Sequence, residues 1–226
     1  MLTPSGIPGF AGVAERGPTN EPVRITSLQA FRETYGELKG DVFLEPAIAG
    51  FFENGGQACY VLRVAHLVGR RREETARAAF LRLGDGAGAP TLTMRAANEG
   101  LWGNRVRVSV DRQEPRLSTF LTLDLKAGDT SAVIKSTHGL RRGTIVRIHD
   151  GERSSYRTIT ELSGKTITWH ADEPLEDGFQ SGAPTYVDPL EFTVTARWGA
   201  VRERFPNLSL SPISEDYVER VVNTSS

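Results

Sequence analysis

The chain has 226 residues, 27 basic against 28 acidic, and 38% hydrophobic residues, enough for at least one sizeable core. That near-neutral balance leaves no electrostatic footprint for nucleic acid or an anionic membrane surface. The single cysteine, Cys59, excludes a disulfide framework within the chain and argues against a cysteine metal site.

The chain opens Met1-Leu2-Thr3-Pro4-Ser5-Gly6, with neither a charged nor an apolar signal region, and no apolar run is long enough to span a bilayer. Residues 9–14 read as a short buried strand of small apolar residues, followed by the breakers of Gly17-Pro18-Thr19-Asn20-Glu21-Pro22. Thr26 or Ser27 is placed to cap a helix running to Tyr35, with Gly36 as its stop. A second helix is expected over residues 44–54, with Ile48, Phe51 and Phe52 inward and Gly55-Gly56 ending it. Residues 58–64 have strand propensity. Arg70-Arg71-Arg72, followed at once by Glu73-Glu74, reads as a solvated helix start. Residues 72–83 fit an amphipathic helix with Ala76, Ala79, Phe80 and Leu83 inward, and a Gly/Ala loop then leads to a strand at 91–96. The first part is thus expected to be α/β, in the order β-α-α-β-α-β.

Residues 105–110 alternate strictly, as does the strand at 191–196, and the two are expected to pair antiparallel. Between them the grammar changes. Short β segments at 117–125, 131–135, 143–149, 155–161 and 165–169 are separated by close turns, with Pro115 and Pro189 as brackets. That spacing predicts a small all-β barrel or sandwich inserted at 114–189. The host would be a discontinuous α/β (α+β) domain of residues 1–113 and 190–226, a mixed sheet with flanking helices. A loop is expected after residue 196, then a helix over 214–222 capped by Ser214.

No residues present themselves for chemistry. His66, His138, His149 and His170 have no ligand spacing, and His149-Asp150 reads as a turn at a strand end. The glycines at 6–12 lack the lysine of a phosphate loop, and Asp85-Gly86-Ala87-Gly88 lacks the oxygen ladder of a calcium loop. Nothing marks Glu203 and Asp216 as a dyad, Cys59 reads as a buried inert thiol, and the Arg/aromatic stretch 198–205 is weak evidence for nucleic acid. The expectation is no catalytic residue, no cofactor, no metal and no enzymatic activity. A carbohydrate-binding or host-adhesion module is the alternative. Its candidates are Tyr156, Trp169, Phe179 and Tyr186, whose bland role is the core of the β segment.

Four stretches carry a resemblance. The first is Gly9-Phe10-Ala11-Gly12-Val13-Ala14-Glu15-Arg16-Gly17-Pro18, continuing through Asn20-Glu21-Pro22-Val23 to Tyr35-Gly36. The second is Ala47-Ile48-Ala49-Gly50-Phe51-Phe52-Glu53-Asn54-Gly55-Gly56, ending Cys59-Tyr60-Val61-Leu62-Arg63-Val64. The third is Gly100-Leu101-Trp102-Gly103-Asn104-Arg105-Val106-Arg107-Val108. The fourth is Glu203-Arg204-Phe205-Pro206-Asn207-Leu208-Ser209, then Tyr217-Val218-Glu219 and Val222-Asn223. Together they resemble the tail sheath protein of contractile phage tails and phage-tail-like contractile injection systems. The resemblance implies a structural virion component that polymerises helically around an inner tube and contracts to drive it through an envelope. The implied partners are other sheath subunits and the inner tube protein, with no nucleic acid and no membrane insertion. Assembly is expected in the host bacterial cytoplasm, then residence in a virion tail or phage-tail-like particle, without secretion by a signal peptide. The family's N-terminal arm and C-terminal domain have no counterpart here, so the chain is expected to be the outer part of a subunit and monomeric or weakly associated by itself.

Overall fold

The computed structural model describes residues 6–37, 40, 42–67, 75–85, 87–112 and 118–225. It divides into two compact units, Met1–Val106 and Arg107–Ser226. The fold mixes sheet and helix, with strand predominating.

The first unit is built on β1 (Gly9–Gly12), β2 (Val23–Ile25) and β3 (Cys59–Arg63), in the order β1-β3-β2. β1 runs parallel to β3 and β2 antiparallel to it. A parallel pair needs a long crossover, here α1 (Leu28–Tyr35) and α2 (Leu44–Glu53). Ser27 caps α1, its Oγ accepting the Ala30 N–H at 3.0 Å. Gly36 ends it at φ 75°, donating its N–H to the Arg32 carbonyl. The positive φ favours glycine there, and a Cβ would in addition press on the Glu15 side chain. Phe31, Tyr35, Ile48, Cys59 and Val61 fill the core beneath the helices. Burial pushes the Cys59 thiol pKa up, which keeps it a small unreactive core residue.

The helix expected over 72–83 is corrected. Residues 70–74, with the expected helix start, lie outside the described residues, and Phe80–Gly84 is a strand, β4, paired antiparallel with β5 (Pro90–Arg95). The Asp85 carboxylate accepts the Ala87 and Ala89 N–H groups at 2.9 and 2.8 Å and closes the hairpin. A short apolar run fits either period, and the turn chemistry decides it. A 3-10 helix follows at Leu101–Arg105.

The second unit opens with β6 (Arg107–Arg112), which pairs antiparallel with β14 (Phe192–Trp198), as the shared alternation predicts. Between them lie β7 (Thr119–Phe120), β8 (Ser131–Val133), β9 (Ile145–His149), β10 (Ser154–Thr158), β11 (Glu161–Ser163), β12 (Thr166–Thr168) and β13 (Tyr186–Pro189). They form two open sheets, β10-β9-β13-β7 and β11-β12-β8, and no closed barrel occurs among the described residues. Their inward residues make one cluster, including Ile134, Val146, Ile148, Ile167, Trp169, Phe179 and Val187.

The loop expected after residue 196 is also corrected. Val201–Leu208 is a strand, β15, on the far side of β14. Trp198 faces Val201 across a two-residue turn whose first residue, Gly199, has φ 56°. The last helix, α3, spans Val218–Ser225 rather than 214–222, and Ser214 instead accepts the Asp216 N–H in the turn before it. No described helix is long and apolar enough to cross a membrane.

Candidate functional site

Residues of the first two resembling stretches, with Glu99 just before the third, converge in the first unit on one buried side chain, Arg63, which is 3% exposed. β3 delivers it beneath β1 and the 14–19 loop. Its Nε donates to the Ala14 carbonyl at 3.2 Å, one terminal nitrogen to Gly17 at 2.9 Å and the other to Glu99 at 2.8 Å. One guanidinium thus ties three chain segments far apart in sequence, a fork that suits arginine and no other side chain. Burial pulls its pKa down and Glu99 opposes that pull.

The surroundings complete the junction. Asn98 Oδ1 accepts from the Gly17 N–H and from Trp102 Nε1, each at 3.0 Å. The Tyr35 hydroxyl donates to the Val61 carbonyl at 3.0 Å, and Arg16 N–H to the Tyr35 carbonyl at 3.1 Å. Glu15 pairs with Arg105. Gly100, at φ 137°, lets the chain pass where a Cβ would lie 2.7 Å from the Glu15 carbonyl. These groups meet backbone or one another, so their chemistry is spent on holding the loop geometry.

The fourth stretch has a similar character in the second unit. Ser209 donates its N–H to the Asp216 carbonyl and accepts the Val218 N–H, which seats α3 beside β15. Asn207 takes φ 58° at the end of that strand.

The histidines separate. His66, His138 and His170 are exposed and do not come together; His170 lies 3.3 Å from Asp172. His149 does find a carboxylate, though not its neighbour Asp150. Its Nε2 lies 2.8 Å from Asp188 Oδ2, 39 residues away on β13. Asp150 instead holds its turn, accepting the Arg153 and Glu152 N–H groups and the Arg153 guanidinium, and its pKa falls to about 2, chiefly through the Arg153 backbone bond. Of the four aromatic candidates, Trp169 and Phe179 are core, at 2% and 1% exposure. Tyr156 and Tyr186 are not core, at 52% and 41%, and Tyr186 stacks on His149. The pairing Tyr186 opposite His149 and Tyr156 opposite Arg147 puts them on the outer face of the four-stranded sheet. Spacing in the sequence could not reveal this, since the strands concerned are distant. Asp216 is held by Arg141, and Asp85 by its own turn. No group of three or more His, Cys, Asp or Glu able to hold a metal occurs among the described residues.

No known protein-family model matches the chain, and no curated protein matches it. Among solved structures, a similarity is found to the Gp54 tailspike of Acinetobacter baumannii bacteriophage AP22 in complex with A. baumannii capsular saccharide. It has 14% identity and a TM-score of 0.28, and covers 37% of this chain and 15% of that one. A likeness so slight carries no argument about fold or function.

Proposed function

We propose that this chain is a structural subunit, the outer part of a contractile tail sheath, that packs in helical array around an inner tube. The observation supporting this reading is the Arg63 junction. Residues of the first two sheath-like stretches meet there with Glu99, which directly precedes the third, and all three Arg63 hydrogen bonds go to backbone carbonyls. A chain that must hold its shape while its neighbours move against it needs such rigid loops. Energy for contraction would reside in the packing of subunits, with no nucleotide consumed.

The stoichiometry of the particle tests this. In quantitative mass spectrometry of purified particles, peptides of this chain are expected at near-equal abundance to the tube protein. A content of a few copies per particle would overturn the reading. The second reading, a saccharide-binding module, is favoured by the exposed Tyr186 stacked on His149 of the His149–Asp188 pair, with the exposed Tyr156 on the same sheet face. Under it, a glycan array gives a specific signal that is lost on Tyr186→Ala. Under the sheath reading the array is blank.

A further inference from the structure

The sheet β15-β14-β6 carries an arrangement that folding alone does not explain. The register sets Arg107, Arg197 and Arg202 directly beside one another across three strands. The next row is Ser109, Thr195 and Arg204, and the next pairs Asp111 with Thr193. Paired residues share a face, and Ser109 Oγ donating to Asp111 Oδ2 at 3.2 Å agrees. The four arginines are exposed, and Thr193 and Thr195, each 4% exposed, form the floor of a hollow of about 330 Å³. None of the ion pairs among the described residues involves these arginines.

Like charges directly opposite on a sheet are destabilising, and one carboxylate, Asp111, does not neutralise four guanidinium groups. The row therefore opposes folding in the isolated chain and becomes favourable when carboxylates arrive from outside. The chain displays such carboxylates elsewhere. Asp172, Glu173, Glu176 and Asp177 are all exposed within six residues. Their loop is held in shape: Leu175 is buried and donates its N–H to the Asp129 carbonyl, and the Arg157 guanidinium donates to the Pro174 carbonyl at 2.6 Å. His170 beside Asp172 is the one basic side chain in an ion pair with this loop among the described residues.

We propose that the arginine face of one copy receives the 172–177 loop of a second copy. Charge complementarity selects this occupant, four guanidinium groups against four carboxylates, with bidentate pairing available to each. Two different patches are joined, so the contact is heterologous, the kind that generates open arrays. The proposal rests on the reading that copies of this chain pack together, and it names the contact.

A charge swap on the full chain tests it, followed by sedimentation velocity at about 0.05 and 0.5 M salt, where screening lengths differ severalfold. Wild type is expected to self-associate weakly at low salt, at least tenfold less at high salt. Arg197→Glu with Arg202→Glu and Arg204→Glu is expected to be monomeric. So is the loop variant carrying lysine at 172, 173, 176 and 177. Mixing the two folded variants restores association, because each then meets an opposite charge. A wild type monomeric throughout, association indifferent to either reversal, or a mixture that stays monomeric overturns the proposal. A second readout separates an interface from a structural role. Arg197→Thr raises the melting temperature while weakening association, whereas a structural arginine would lower it. Failure here with the chain at tube-like abundance in particles moves the contact elsewhere. Success with a few copies per particle removes the sheath reading and leaves the contact standing.

Discussion

Replacing Arg63 with methionine is expected to destabilise the first unit by about 3–5 kcal/mol. The side chain is 3% exposed and donates to three carbonyls, Ala14, Gly17 and Glu99. Methionine fills much of the volume and supplies no donor. Each buried carbonyl left without its partner costs roughly 1–3 kcal/mol, and the loops that relax toward water recover part of that sum. For a unit of this size the melting midpoint falls by about 15 °C or more. Arg63→Lys keeps the charge but offers a point donor in place of a fork, so it recovers only part of the loss. Circular dichroism melts of the two variants check this. A methionine variant within about 1 kcal/mol of wild type would show that the three segments hold together without the guanidinium.

The second large effect is in the β cluster of the second unit. Phe179→Ala removes a ring that is 1% exposed and packed with Trp169 and its neighbours in one cluster, at an expected cost of about 3–5 kcal/mol. Trp169→Phe is expected to cost far less, because the indole Nε1 is buried without a hydrogen-bond partner, and losing it offsets part of the lost packing. Every residue of the cluster lies between 121 and 187. We propose that this segment is a cooperative unit of its own. Hydrogen exchange on Phe179→Ala then shows Ile134, Val146, Ile148 and Val187 losing protection together, while Val194 on β14 keeps its own. Joint loss at Val194 would mean that the segment unfolds with the β15-β14-β6 sheet.

Local signals were legible in the sequence. Ser27 and Gly36 bound α1 because a cap and a left-handed stop are short-range chemistry. The pairing of β6 with β14 followed from matching alternation. Four features were not read. Phe80–Gly84 fits helix and strand alike, and only the Asp85 turn decides it. β15 is rich in Arg and Glu and carries Pro206, which masked its alternation, although Gly199 at the hairpin tip was a usable sign. The His149–Asp188 contact depends on which strands become neighbours, a property of topology that residue spacing does not encode. The same holds for the arginine row, since its members come from three strands.

The position of the chain in the assembled particle tests the central claim most directly. Antibodies to the exposed 172–177 loop, with gold labels, can be imaged on purified particles in the electron microscope. In an array that uses this loop as a contact, fewer copies bind, so a second antibody to a tag at the C-terminal end provides the count. The account predicts labels distributed along the whole length of the tail, and closer together along the axis after contraction. Labels confined to the tip or to fibres would contradict it.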